Sequence, residues 1–138
     1  VFGYDSLGET VELIHHRDPE ARLFGQPGEL QQVFYNLFLN AAQAMKGQGI
    51  ITVRVWRQAA VVHASVHDTG PGIPTQDLDK VFEPFYTTKR KVGSTGLGLS
   101  ISQEIVQEHG GSIRAEAHPD GGALFHLCLP TRLAQEGE

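Results

Sequence analysis

The sequence predicts a two-layer α+β sandwich in which helices cover one face of a mixed, mainly antiparallel sheet. Segments 27–45 and 97–109 carry apolar residues at helical spacing, whereas the other apolar segments are short and rich in β-branched residues. Most neighbouring strand segments are separated only by short turns, which favours antiparallel pairing. The regular alternation of strands and helices that a doubly wound parallel sheet requires is not present.

The first elements are predicted to be a hairpin and a long helix. VELIH (11–15) and ARLFG (21–25) alternate weakly and flank a turn-like segment, so they predict two paired strands. In segment 27–45 the apolar residues recur at steps of three and four, which predicts an amphipathic helix. The apolar stripe of this helix consists of Leu30, Val33, Phe34, Leu37, Ala41 and Met45.

Two β-branched segments, 50–56 and 60–67, follow the helix and predict a second strand pair. Segment 68–74 has the composition of a loop, and 75–82 is long enough for one or two helical turns. Segment 83–95 carries no periodicity and is predicted to be irregular.

The last elements are predicted to be a helix and a hairpin. A helix over 97–109 would end at Gly110-Gly111. SIRAEAHP (112–119) and ALFHLCLP (123–130) then predict a hairpin joined through Asp120-Gly121-Gly122.

The composition is that of one ordinary globular domain covering residues 1–138. The 138 residues are 40% hydrophobic and 20% charged, and no apolar run is long enough to span a bilayer. The net charge of −5 argues against a general nucleic-acid-binding protein. The first residues show no signal peptide, and because they lack Met we expect the chain to be a fragment of a longer protein.

The single cysteine, Cys128, excludes an internal disulfide bond and is expected to be a packed thiol between Leu127 and Leu129. His63 and His67 alternate with valines, which indicates a strand face. No spacing of Cys and His along the chain matches a zinc site.

A glycine-rich segment, GSTGLGLSIS (93–102), leads into the second predicted helix. Its spacing matches neither a P-loop, which needs Lys after its last glycine, nor a dinucleotide fingerprint, which needs G-x-G-x-x-G directly after a strand. The N–H groups of residues 96–99 would have no acceptor within the helix and could bind an anion, aided by the helix dipole. A flexible loop with a glycine-rich cap remains the alternative.

A second glycine loop, DTGPGI, places Asp68 at the end of a predicted strand, followed by Gly70 and Gly72. The carboxylate could accept hydrogen bonds from an amino group such as that of adenine, and Gly72 would let a flat ring lie close to the backbone. The alternative is an ordinary turn at the end of a strand, for which Asp, Gly and Pro are well suited.

Asn36 and Asn40 lie four residues apart on one side of the first helix, and Gln43 extends this polar stripe. Asparagine is a mediocre helix former, so two aligned copies suggest a polar function. A carboxamide oxygen could complete the coordination of Mg²⁺ that phosphates already hold. Solvated or capping amides are the alternative.

Taken in order, these segments resemble the catalytic and ATP-binding domain of bacterial sensor histidine kinases, whose wider group includes DNA gyrase, the MutL mismatch-repair proteins and a heat-shock chaperone. NLFLNAAQAM (36–45) is similar to the N box, DTGPGI (68–73) to the first glycine box, FEPFYTTK (82–89) to the F box and GSTGLGLSI (93–101) to the second glycine box. The resemblance covers roughly residues 22–130 and implies the Bergerat ATP-binding fold. QAM and FYTTK look most like the nitrogen-regulation and dicarboxylate-sensing subgroup.

The resemblance implies that the chain binds ATP and Mg²⁺. Asn40 would be the magnesium ligand, Asp68 would bind the adenine amine, and Lys89 with the amides of residues 96–99 would contact the phosphates. Segment 83–95 would be the lid over the nucleotide, and no residue is assigned a catalytic role. The implied nucleotide-binding residues are Asn36, Asn40, Gln43, Asp68, Gly70, Gly72, Ile73, Lys89, Thr95, Gly96, Leu97, Gly98 and Leu99.

The implied activity is donation of the γ-phosphate to a histidine on a separate dimerisation and phosphoacceptor domain, with a response regulator downstream. The implied location is cytoplasmic, without direct membrane contact by this domain. HHRD (15–18) does not match the phosphoacceptor motif of these kinases. Hydrolysing relatives carry a glutamate base where this chain has Asn36, which disfavours a conformational-switch ATPase of the gyrase and MutL type. A non-catalytic nucleotide-binding interaction module is the other alternative.

Overall fold

The computed structural model describes residues 2–3, 10–17, 27–84 and 98–130, and within them it contains a six-stranded sheet in the order β1-β2-β3-β4-β6-β5. The strands are β1 (Phe2–Gly3), β2 (Thr10–Arg17), β3 (Gln48–Gln58), β4 (Val61–Asp68), β5 (Ser112–Ala117) and β6 (Ala123–Pro130). The helices are α1 (Pro27–Ala44) and α2 (Gly98–Glu108), with short 3-10 turns at Thr75–Asp77 and Lys80–Phe82.

The sheet is mixed, as predicted. β2 and β3 pair in parallel, because the chain crosses over through α1 between them, and the other neighbouring strands pair antiparallel. The predicted hairpin of 11–15 with 21–25 is only partly described: its first strand belongs to β2, whereas 21–25 lies outside the described residues. The two later strand pairs, β3–β4 and β5–β6, are confirmed.

The core lies between one face of the sheet and the two helices. Buried and less buried residues alternate along β6, which is the pattern of a strand with a single covered face. Val33 and Leu37 of α1 and Val106 of α2 are fully buried against this face. The predicted stripe of α1 is confirmed, with Phe34 only half-buried at its edge. The two-layer α+β sandwich is therefore confirmed.

α2 ends at a glycine with positive φ, as predicted, whereas the first left-handed residue after α1 is Lys46, with a φ of 58°, and Gly47 follows it. Gly47 follows α1 with a φ of 79°, and its N–H donates to the carbonyl of Ala42. Gly110 follows α2 with a φ of 81°. These are the left-handed endings that glycine accepts most easily. Among the described helices, neither has the combination of length and apolar character needed to cross a membrane.

Candidate nucleotide-binding site

The carboxylate of Asp68 lies at the end of β4 and is only 2% exposed. Its Oδ1 accepts hydrogen bonds from the N–H of Gly70 at 2.8 Å and from the N–H of Ala123 at 3.2 Å. The first bond turns the chain out of the strand, as Asp side chains commonly do in turns. The second ties Asp68 to the start of β6. Together they fix the orientation of the carboxylate and hence the position of its other oxygen, Oδ2.

Two backbone segments meet beside Asp68, at Gly72 and Gly122. Both glycines have positive φ, 84° and 80°. A Cβ on Gly72 would lie 3.1 Å from the carbonyl oxygen of Gly122, and one on Gly122 would lie 1.9 Å from the carbonyl oxygen of Asp68. Close packing of the 68–73 loop on the β5–β6 turn therefore requires glycine at 122 and favours it strongly at 72.

The same loop packs on the C-terminal end of α1. A Cβ on Gly70 would lie 3.4 Å from the carbonyl oxygen of Ala44, the last residue of the helix. The N–H and hydroxyl of Thr69 both donate to the sulfur of Met45, at 3.4 and 3.3 Å. The loop that carries Asp68 is thus held by α1 on one side and by β6 on the other.

The amide of Asn36 joins α1 to the first turn of α2. Its Nδ2 donates to the carbonyl oxygen of Gly98 at 3.2 Å and to the hydroxyl of Ser102 at 3.1 Å. Its Oδ1 accepts a hydrogen bond from Nε2 of Gln32 at 2.8 Å. Because both polar atoms are engaged, Asn36 fixes the start of α2. The N–H groups of Gly98 and Leu99 in this first turn have no acceptor within the helix.

Asn40 lies between these two contact regions. It follows Asn36 by one helical turn and precedes Ala44 by one, and a rise of 1.5 Å per residue separates Asn36 from Ala44 by about 12 Å along the axis. Asn40 and Gln43 are half-buried. The amide oxygen of Asn40 belongs to the class of ligands that Mg²⁺ accepts alongside phosphates, so the residue type fits that ion.

The structure describes the predicted site residues as three groups around α1. Lys89, Thr95, Gly96, Leu97 and most of the predicted lid lie outside the described residues. The described groups are Asp68, Gly70, Gly72 and Ile73 after β4, then Asn36, Asn40 and Gln43 on α1, then Gly98 and Leu99 at the start of α2.

Sequence reasoning missed the supporting residues of this site. Ser102 is completely buried and its hydroxyl accepts a hydrogen bond from Asn36. The sequence indicated this only by a polar residue on an apolar helix face, four positions after Gly98. Gly122 was predicted only as part of a turn, although the position must also lack a side chain because the carbonyl oxygen of Asp68 lies against it. The N–H of Ala123 gave no signal, because any residue except proline supplies one.

Comparison with known proteins identifies the family. Residues 25–133 match the family described as histidine kinase-, DNA gyrase B-, and HSP90-like ATPases. The sensor histidine kinase ZraS of Klebsiella oxytoca is 39% identical over 137 residues, which is 97% of this chain and 29% of that protein. The chain thus spans less than a third of the length of this relative.

Solved structures agree with this assignment. The mycobacterial sensor histidine kinase MprB superposes with a TM-score of 0.79 at 30% identity, over 89% of this chain and 85% of that one. Full-length ShkA in complex with AMPPNP superposes with a TM-score of 0.76 at 25% identity, over 91% of this chain and 26% of that one. Histidine kinase ThkA in complex with the response regulator protein TrrA superposes with a TM-score of 0.74 at 32% identity, over 88% of this chain and 34% of that one. The chain therefore belongs to the histidine kinase-, DNA gyrase B-, and HSP90-like ATPase family, and it is similar to the catalytic domains of sensor histidine kinases.

Proposed function

We propose that this chain binds Mg-ATP along the side of α1 that carries Asn40 and donates the γ-phosphate to a histidine. One observation carries the proposal: the loop that follows the buried carboxylate of Asp68 and the first turn of α2 contact α1 about 12 Å apart, with an amide ligand between them. An adenine-recognition group, a metal ligand and free backbone N–H groups are then arranged in the order that a nucleoside triphosphate requires.

At the adenine end, Oδ2 of Asp68 accepts a hydrogen bond from the exocyclic amine. Oδ1 is already committed to the N–H groups of Gly70 and Ala123, so the carboxylate is preorganised for this role. Gly72 and Ile73 provide the surface on which the ring lies, and Ile73 packs on the core.

At the phosphate end, the N–H groups of Gly98 and Leu99 receive the phosphate oxygens, together with Gly96, Leu97 and the side chains of Lys89 and Thr95. Helix starts bind phosphate well because their N–H groups are unpaired and the helix dipole is positive there.

The polar stripe of α1 completes the phosphate end of the site. Asn40 supplies an amide oxygen to Mg²⁺, which when bound neutralises charge on the phosphates. Gln43 extends the stripe on the same side, and Asn36 holds α2 in place.

The acceptor is a histidine on a separate dimerisation and phosphoacceptor domain, and a response regulator then takes the phosphoryl group. The solved complex of ThkA with TrrA is a precedent for the second partner. In this scheme the chain contributes positioning and charge stabilisation rather than a general base, because phosphoryl transfer needs little else from the protein. The proposed location is the cytoplasm.

The contacts of Asn36 disfavour rapid hydrolysis as a second function. An amide cannot remove a proton from water, and the polar atoms of this one are already engaged with Gln32, Gly98 and Ser102. We therefore expect phosphate release from ATP by this chain to stay at the level of a buffer control. Steady turnover would instead favour the conformational-switch ATPase, and weak or absent nucleotide binding would favour the interaction module.

Calorimetric titration with AMPPNP and Mg²⁺ tests the nucleotide site. In Asp68→Asn the amide can keep its oxygen toward Gly70 and Ala123 only by turning an NH₂ group toward the adenine amine. Losing one charge-assisted hydrogen bond costs about 1.5–3 kcal/mol, so we expect affinity to fall by a factor of about 10–150. Asp79→Asn, at an exposed aspartate, is the matched control and should bind as the wild type does. Equal affinity of all three proteins would contradict the proposal.

A further inference from the structure

Three side chains of types that commonly bind metals lie together on the sheet face turned away from α1 and α2. His63 of β4 and Cys128 of β6 are directly opposite in the strand register, and His126 lies two residues before Cys128 on the same face. Nδ1 of His63 is 2.9 Å from Nε2 of His126. The sulfur of Cys128 is 3.5 Å from the first nitrogen and 3.9 Å from the second. We refer to these residues as the His-His-Cys cluster.

The three separations are close to those that a tetrahedral zinc ion imposes. Bonds of about 2.05 Å to nitrogen and about 2.3 Å to sulfur place two nitrogens about 3.3 Å apart, and a nitrogen about 3.6 Å from the sulfur. The observed separations of 2.9, 3.5 and 3.9 Å differ from these values by about 0.4 Å or less. Small side-chain rotations, without movement of the strands, are sufficient to bring the ligand atoms into place.

The carboxylate of Glu116 lies close to the ring of His126, one of the three residues of the cluster. Nδ1 of His126 accepts a hydrogen bond from Arg114 at 2.8 Å, so Nε2 carries the hydrogen of the neutral ring. Oε2 of Glu116 is 3.6 Å from the same Nδ1 and pairs with Arg114. When Nε2 binds a metal, this hydrogen moves to Nδ1, the exposed Arg114 turns away, and Glu116 accepts it. Metal-binding histidines almost always donate their other ring N–H to a carboxylate, a backbone carbonyl or a water molecule, and Glu116 would supply the first of these.

The surroundings of the cluster also favour a bound cation. The ring of Trp56 stacks on His63 with centroids 5.2 Å apart and planes within 9°, and it lies 5.7 Å from His126. The three ligand residues are half-buried.

We propose that His63, His126 and Cys128 bind one Zn²⁺ ion on this face of the sheet, with a water molecule in the fourth position. Two imidazoles and a thiolate form a donor set that suits zinc, whereas Mg²⁺ requires oxygen ligands. Binding releases the thiol proton of Cys128 to solvent. This site is therefore chemically distinct from the magnesium ligand proposed on α1 and independent of it.

The bound ion would clamp β4 to β6 at the face opposite the helices. β4 leads into Asp68, and β6 begins at Ala123, whose N–H bonds to Asp68. Zinc would thus stabilise the strand pair that holds Asp68 without contacting the nucleotide. An ion that binds only the folded chain raises its unfolding temperature in proportion to the logarithm of its concentration, once that exceeds the dissociation constant.

Titration of the reduced, metal-free chain with Co²⁺, followed by displacement with Zn²⁺, tests the proposal. We expect a thiolate-to-cobalt charge-transfer band in the near ultraviolet that saturates at one ion per chain and disappears when Zn²⁺ is added. Trp56 is the only tryptophan of the sequence, and its fluorescence should change with the same midpoint because it stacks on His63. Absence of the charge-transfer band in the wild-type chain overturns the proposal without any variant.

Variants identify the ligands. Cys128→Ser should abolish the charge-transfer band, and His63→Gln should weaken Zn²⁺ binding at least tenfold in chelator competition. Glu116→Gln should weaken it about 10–100-fold, the usual effect of losing the carboxylate behind a histidine ligand. His16→Gln removes an exposed histidine outside the cluster and should leave affinity unchanged. Equal Zn²⁺ affinity of the wild type, Cys128→Ser and His63→Gln would overturn the assignment.

Discussion

Replacing Asn36 by Asp isolates the hydrogen bonds that hold the start of α2. The two side chains have the same shape, but the substitution exchanges an NH₂ group for an oxygen. The donor to the Gly98 carbonyl at 3.2 Å is lost, and the Ser102 hydroxyl at 3.1 Å has to rotate so that it donates to the new oxygen instead of accepting. An anionic oxygen then faces the carbonyl oxygen of Gly98, whereas the hydrogen bond from Gln32 is retained.

The size of the effect follows from these contacts. The lost hydrogen bond removes about 1 kcal/mol net, and leaving the Gly98 carbonyl unpaired against an anionic oxygen in this partly buried position adds about 1–2 kcal/mol. We therefore expect the free energy of unfolding to fall by about 2–3 kcal/mol, a substantial part of the total for a domain of this size. Because α2 would no longer be fixed at its start, affinity for AMPPNP should fall as well.

Urea denaturation followed by circular dichroism measures this loss. Asn40→Asp, the same exchange one turn later on α1, is the matched control and should change stability by less than about 0.5 kcal/mol. A double-mutant cycle with Ser102→Ala should give a coupling energy of at least about 0.5 kcal/mol, since the two side chains are in contact. If Asn36→Asp were no more destabilising than Asn40→Asp, the role given to Asn36 would be refuted.

The other stability predictions concern backbone approach and core packing. Gly122→Ala should lower the free energy of unfolding by about 2–4 kcal/mol, because its Cβ would lie 1.9 Å from the carbonyl oxygen of Asp68 at a positive φ. Gly121→Ala shares the positive φ but has nothing within 4 Å, so thermal denaturation should show a loss of only about 1 kcal/mol. Leu37→Ala, at a fully buried position of α1, should cost about 2–5 kcal/mol in urea denaturation, and a loss under 1 kcal/mol would contradict the packing described.

Elements specified by local pattern were predictable from the sequence. The apolar stripe and the glycine ending define α1, and β-branched runs separated by short turns define β3, β4, β5 and β6. The turn after β4 could likewise be predicted, because Asp and glycine determine its geometry within six residues.

Features that depend on long-range pairing could not be predicted in this way. The parallel alignment of β2 with β3 is set by how α1 crosses the sheet, which no local pattern specifies. His63 and Cys128 lie far apart in sequence, and only the register of β4 on β6 places them opposite each other. Searching the chain for Cys and His at zinc-binding spacing therefore missed the His-His-Cys cluster. Ser102 was missed for the same reason, because its partner Asn36 lies on another helix.

Nuclear magnetic resonance of the isotopically labelled chain, titrated with AMPPNP and Mg²⁺, shows which residues the nucleotide contacts and so tests binding along α1. We expect saturable shifts of the backbone amides of Gly70, Gly72, Gly98 and Leu99 and of the side-chain amide of Asn40. The amide of His126, on the opposite face of the sheet, should remain unshifted. If saturating nucleotide left these resonances unchanged, or shifted only those of the face carrying His126, binding along α1 would be contradicted.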